Sequence, residues 1–261
     1  MTMTYRGTTA LITGASSGLG EEFARQFAAR GADVVLVARR EDRLRELASR
    51  LEADHRITAT PVAVDLNAPG ATATIRATLE ERGIRLHTLV NNAGFGMKGA
   101  FIDADPARIA EMVQVNVASV VALTREFLPD LVAAGDGALV SIASTGAYQP
   151  CPNMAVYGAT KAFVLSFTEA LAYETRGSGL SVLTVSPGAT RTEFFDVVGG
   201  EDAAVGRYQT TEQVVTRTLK ELDRRSTPPS FVGGRSNAVV AKLVGWMPRR
   251  ASLALSGRVL R

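Results

Sequence analysis

The chain has 261 residues, of which 46% are apolar and 21% charged, with a formal charge of +3. That length and composition suit one α/β domain with a full core and exclude a disordered or low-complexity chain. Scattered arginines without a basic stripe argue against nucleic acid as a partner, and Cys151 with two histidines excludes both an internal disulfide and a zinc centre of the usual kind. With no leader pattern and no run of ~18 apolar residues, a cytoplasmic protein is expected.

Residues 9–13 form a short apolar run that feeds into glycines, and residues 18–30 repeat apolar side chains at helical spacing through Phe23, Phe27 and Ala28. Strand, glycine turn and helix are therefore expected. Gly31 ends that helix; residues 33–38 read as a β-branched strand, 43–51 as a helix and 60–64 as a strand that closes on Asp65. A strand over 86–90 runs into Asn91-Asn92-Ala93-Gly94, after which one long helix is predicted over 106–134, a strand over 137–142, a helix over 156–175 and a strand over 181–185. Residues 193–208 read as a mobile loop and 237–261 as a basic amphipathic tail. Strands apolar on both faces, alternating with helices, predict a single Rossmann-type domain over residues 1–261. Its doubly wound parallel β-sheet is flanked by helices on both faces, and its ligand crevice lies at the carboxyl ends of the strands.

Tyr157 and Lys161 stand four residues apart, on one face of the predicted helix. An ammonium beside a phenol favours the phenolate and lowers a pKa that starts near ~10, which is acid/base equipment. Upstream lie Ser144, which suits a hydrogen bond to a substrate oxygen, and Asn116. Gly14, Gly18 and Gly20 fall between the first strand and first helix, where backbone amides and the helix dipole hold a pyrophosphate.

Thr13-Gly-Ala-Ser-Ser-Gly-Leu-Gly20, Asp65-Leu66, Asn91-Asn92-Ala93-Gly94, Asn116, Ser144, Tyr157-x-x-x-Lys161 and Pro187-Gly-x-x-x-Thr192 follow one another along the chain. In that order they resemble the short-chain dehydrogenase/reductase family. The resemblance implies hydride transfer between a nicotinamide cofactor and a carbonyl or alcohol carbon, with Asn116, Ser144, Tyr157 and Lys161 as the catalytic tetrad. Tyr157 exchanges the proton, Ser144 binds the substrate oxygen, Lys161 tunes the phenol and holds the ribose, and Asn116 holds a water. The implied cofactor cradle is Gly14, Ser16, Ser17, Gly18, Leu19 and Gly20, with Asp65 and Leu66 at the adenine and Asn92, Ala93 and Gly94 against the adenosine half. Pro187, Gly188, Thr190 and Thr192 complete it, and Thr190, standing where the family often has Val or Ile, meets the carboxamide through its backbone.

The position of the family's ribose-binding carboxylate is Ala38, followed by Arg39 and Arg40. NADP(H) is therefore expected, with Arg39 on the 2′-phosphate and Ser16 in support. A wall of Phe95, Met97, Tyr148, Pro150, Met154, Phe194 and Phe195 around Ser144 and Tyr157 suits a hydrophobic ketone, aldehyde or secondary alcohol, with Arg191 and Glu193 facing outward. A small keto acid finds no carboxylate partner there unless Arg191 or Arg207 turns inward. The alternatives are a 3-oxoacyl-thioester reductase and a non-catalytic NADP-binding sensor or scaffold. The helices over 106–134 and 156–175, which pair across a twofold axis in the family, imply a homodimer or homotetramer. For the tail, a helical hairpin broken at Pro248 is favoured over contact with an acidic membrane surface.

Overall fold

Runs of β-branched and apolar residues bounded by glycine and polar turns form β1 (Thr9–Thr13) and β2 (Asp33–Ala38), with the bounds that the sequence pattern predicts. The computed structural model describes residues 3–194, residue 198 and residues 208–259. Five further strands, β3 (Ala59–Ala63), β4 (Thr88–Asn91), β5 (Ala138–Ile142), β6 (Ser181–Ser186) and β7 (Ser230–Val232), complete one sheet. Its order is β3-β2-β1-β4-β5-β6-β7 and every neighbour is parallel. Leu11 of β1 pairs with Val35 on one side and Leu89 on the other, so the chain order reverses between β1 and β4. A crevice opens at such a switch point.

The two-residue period of a strand divides the core into two. Ala10, Ile12, Val34, Leu36 and Val140 join one core, beneath α1 (Gly18–Ala29), α2 (Glu41–His55) and α7 (Thr211–Leu222). Leu11, Val35, Val37, Leu89 and Leu139 join the other, beneath α3 (Ala71–Glu81), α5 (Ser119–Ala134) and α6 (Ala155–Glu174). Pro61 is tolerated in β3 because that strand is an edge. Gly137 immediately precedes β5, where a β-carbon would fall 1.6 Å from the His87 carbonyl oxygen, so no other residue fits.

The helix predicted over 106–134 is three segments: α4 (Pro106–Val113), a π-helical turn over Gln114–Ala118, and α5. Asp105 caps α4, its Oδ1 accepting from Ala107 N at 3.0 Å, with Pro106 at the first helical position. The tail folds as two helices, α8 (Arg235–Trp246) and α9 (Arg249–Val259), which meet at Pro248. The loop predicted over 193–208 falls largely outside the described residues, and Phe195 and Arg207 lie wholly outside them.

Candidate active site

The carboxyl ends of β1, β2, β4, β5 and β6 surround one cavity of about 710 Å³. The turn after β1 is braced from β4: Thr13 Oγ1 donates to Val90 O and accepts from the amides of Asn92 and Ala93 at 2.9 and 3.0 Å. Asn92 Nδ2 donates to Thr13 O at 2.8 Å. Close approach requires glycine here, since a β-carbon on Gly20 would lie 2.2 Å from Gly14 O. Ser17 precedes α1 in extended backbone without a side-chain cap bond, which leaves the helix N-terminus facing the cavity with amides for an anion.

Gly14, Ser16, Ser17, Gly18 and Leu19 line this end, together with Arg39, Asp65 and Leu66, while Gly20 is buried behind the turn. Asp65 also accepts from Asn67 N at 2.9 Å, a turn-forming bond. The guanidinium on the glycine turn is that of Arg40 rather than Arg39. Arg40 donates to Ser16 Oγ at 3.0 Å and Ser17 Oγ at 2.9 Å, whereas Arg39 reaches 3.7 Å from Glu111 across the crevice. Arg39 keeps its place in the lining, but the expected support from Ser16 goes to its neighbour. Glu193 closes over Arg40 at 2.9 Å and Arg43 at 2.6 Å. Those bonds, Arg43 first and then Arg40, hold its carboxyl down at about 2. Glu193, expected to face outward, instead borders the cavity and bridges two arginines.

At the other end Ser144, Tyr157 and Lys161 converge, with Asn92, Ala93 and Gly94 beneath and Pro187, Gly188, Thr190 and Thr192 beside them. Asn116 stands behind the lining at 1% exposure. Its Oδ1 accepts from Phe95 N at 3.1 Å and its Nδ2 donates to Phe95 O at 2.9 Å and Thr160 Oγ1 at 3.1 Å, so the π-helical turn locks the loop after Gly94. Asn91 Nδ2, at the end of β4, donates to Thr124 Oγ1 of α5 at 2.9 Å and ties the sheet to the helix that covers it. Ser144 Oγ accepts from Gly146 N at 3.1 Å, which orients its hydroxyl.

The electrostatics differ from the expected ammonium-assisted phenol. Burial pushes the Tyr157 phenol up to about 12, a hydrogen bond with Ser144 pulls it down, and nearby Cys151 raises it further. Burial also pushes Lys161 down to about 8. Lys161 Nζ donates to Ile142 O at 2.8 Å and stands 5.9 Å from the Tyr157 ring centroid. Desolvation of both groups therefore outweighs their mutual attraction in the protein alone.

Phe95, Tyr148, Met154 and Phe194 line the cavity. Phe194 lies with its ring 5.4 Å from that of Tyr157, and the Tyr148 hydroxyl is 3.3 Å from Ser186 Oγ. Met97 borders a neighbouring cavity instead, and Pro150 is in neither lining. Arg191 is exposed and outside the lining, whereas Arg108 borders the cavity, stacked 4.0 Å over Phe95 and bonded to Glu111. Ser236, Asn237, Val240 and Ala241 of α8 also line it. Neither contribution has a local sequence signal, because both arise from distant segments folding together. Among the described residues no cluster of His, Cys, Asp and Glu could hold a metal ion.

A parallel dinucleotide fold with a glycine turn at its switch point and a Ser, Tyr and Lys group opposite defines a nicotinamide-dependent oxidoreductase. Residues 8–202 match the model of the short chain dehydrogenase family, and the chain belongs to that family. It is 38% identical to sulfoacetaldehyde reductase 2 of Chromohalobacter salexigens over 81% of this chain and 85% of that protein. Among solved structures, a short-chain dehydrogenase from Sphingobium yanoikuyae in complex with NADPH superposes with a TM-score of 0.82 at 34% identity, covering 96% of this chain and 95% of that one. The bulky-bulky ketone specific alcohol dehydrogenase from Comamonas testosteroni gives 0.78 at 31%, covering 96% and 94%.

Proposed function

We propose that the chain is an NADP(H)-dependent reductase of hydrophobic ketones and aldehydes, and oxidises the matching secondary alcohols in reverse. The observation that carries this reading is the convergence of Ser144, Tyr157 and Lys161 at one end of a cavity whose other end holds the glycine turn and Arg40. The residues suit the cofactor: free amides at the start of α1 for a pyrophosphate, and Arg40 and Arg43 without a competing carboxylate at Ala38 for a 2′-phosphate. The bound nicotinamide supplies the hydride. With a phenol near 12, Tyr157 is fully protonated at neutral pH and serves as the acid, giving its proton to the carbonyl oxygen as charge develops there. Ser144 donates a hydrogen bond to the same oxygen. Lys161 stabilises the phenolate left behind, a charge that also restores the ammonium against its own desolvation. Asn116 fixes the Phe95 backbone that floors this end. The proposed location is the cytoplasm, in keeping with a lone cysteine, and the proposed assembly is a homodimer or homotetramer.

One observation favours a second reading. Arg108 borders the substrate side of the cavity, and the relative that is 38% identical is named for a small anionic aldehyde. Glu111 neutralises Arg108 here, and the described side chains around it, Phe95, Tyr148, Met154 and Phe194, are uncharged, so the neutral substrate is preferred. Catalytic efficiencies for a bulky neutral ketone and for sulfoacetaldehyde, each with NADPH and with NADH, test the assignment. Higher efficiency with the ketone and NADPH is expected. A preference for the anion that is lost in Arg108→Ala overturns the hydrophobic reading.

A further inference from the structure

The two helices after β7 carry their apolar residues on the wrong side for a water-facing hairpin. In α8, Asn237, Ala241 and Val244 recur at i, i+4 and i+7 and face the body, Asn237 Nδ2 bonding Gly233 O at 2.9 Å. On the opposite stripe Val239, Leu243 and Trp246 are exposed, Trp246 at 85%. In α9 the inversion is complete: Ser252 and Ser256 are each 3% exposed, while Leu253 and Leu255 are 51% and 46% exposed. A helix built only to cover its own domain turns leucine in and serine out. Ser252 Oγ finds no hydrogen-bond partner among the described residues. The outward leucines, valine and tryptophan thus add little to the core formed by the described residues.

The charge says what covers them. Residues 235–261 hold six arginines and lysines and no Asp or Glu, so the chain's formal +3 leaves −3 on everything before them. Lys242, Arg249, Arg250 and Arg258 are all exposed, and no ion pair among the described residues engages them. A second copy seated on this face about a twofold axis sets the same cations against themselves. An anionic bilayer surface takes both components, apolar side chains into the head-group boundary and cations onto phosphate. No described helix is long and apolar enough to cross a membrane.

We propose that α8 and α9 seat this protein peripherally on anionic phospholipid, with Val239, Leu243, Trp246, Leu253 and Leu255 entering the interface and Lys242, Arg249, Arg250 and Arg258 on the head groups. Because α8 also lines the main cavity through Val240 and Ala241, the lipid surface then stands one helix away from it.

Trp246 is the chain's one tryptophan, so its emission reports directly on the site. The protein is titrated with vesicles of phosphatidylcholine mixed with phosphatidylglycerol, and with vesicles of phosphatidylcholine alone. The expected result is water-exposed emission in buffer and a blue shift with cosedimentation on the mixed vesicles. The shift should reverse in roughly 1 M salt, where the Debye length falls to about 3 Å. The double variant R249E/R250E should weaken vesicle binding at least about tenfold. Unchanged emission with mixed vesicles overturns the proposal, as does an equal, salt-insensitive response to neutral ones. Emission that is blue before lipid is added and reddens on dilution assigns the face to a second copy, and also overturns it.

Discussion

Two side chains set the chemistry, and burial moves them in opposite directions: Tyr157 toward a tightly held proton and Lys161 toward neutrality. Tyr157→Phe keeps the ring against Phe194 and removes only the hydroxyl, so turnover should fall at least ~10²-fold with NADPH affinity little changed. Steady-state rates and a fluorescence titration of the cofactor check both halves, and retained turnover removes Tyr157 from the mechanism. Lys161 makes stability depend on pH. A lysine whose folded pKa is about 8 against 10.5 unfolded costs stability wherever both states are charged, below about pH 8. As pH rises from 8 toward 10.5 the folded state releases its proton first and the cost disappears. The cost is about 3 kcal/mol at its upper limit, by the worth of each pKa unit. Lys161→Met should therefore unfold at higher denaturant at pH 7 than the cofactor-free parent, while losing activity. It should also lose the parent's rise in stability between pH 8 and 10.5. A destabilised variant means the bond to Ile142 O outweighs the desolvation.

At the scale of elements, the site depends on segments braced by single side chains. Asn116 satisfies both backbone groups of Phe95, so Asn116→Ala leaves two part-buried polar groups without that partner, at up to about 1–3 kcal/mol each. The expected outcome is a Tm lowered by several degrees and reduced turnover, and calorimetry showing an unchanged Tm contradicts the bracing role. The junction of the glycine turn, the start of α2 and Glu193 makes another prediction. Arg40→Ala should raise the NADPH dissociation constant more than Arg39→Ala, and Glu193→Gln should lower it by freeing two guanidiniums. Equal effects of the two arginine variants in a binding titration contradict the preference for Arg40, and a larger effect of Arg39→Ala returns the phosphate to Arg39. Much of this architecture is legible in the sequence: β1 and β2 because β-branched runs end at glycines, Ser144, Tyr157 and Lys161 because their spacing is fixed by a strand and a helix. The π-helical turn at Asn116 is not, since nothing local distinguishes it from α-helix. Which of two adjacent arginines turns to Ser16 depends on Glu111 and Glu193, far away in the chain. Neither α3 nor α7 is among the predicted helices: α3 carries alanines and threonines with a weak apolar period, while α7 does offer a local signal in the capping box of Thr210 and Gln213.

Among the described helices, two exposed apolar faces differ in chemistry. The tail face is cationic, but the outer stripe of α6 is uncharged: Ala159, Phe163, Ser166, Ala170 and Tyr173 recur at helical spacing and are all exposed. Phe163 is 40% exposed and stacks on Phe167 at 5.7 Å, which holds its ring in place for a partner. Beside it α5 presents Ala122, Pro129 and Val132, with Arg125 as the one charge among its exposed residues. Small residues flanking an aromatic let two helices approach closely, and a twofold axis brings the same stripe onto itself without a charge penalty. The tail cannot pair that way. Assembly through α5 and α6 should therefore be independent of α8 and α9. Light scattering at micromolar concentration should give the mass of a dimer or tetramer for the parent and for R249E/R250E alike. Phe163→Asp should give a smaller particle, because a twofold contact doubles each introduced carboxylate and buries it unpaired. A parent that scatters as a monomer refutes the assembly, and a mass lowered only by the tail variant moves the interface to α8 and α9.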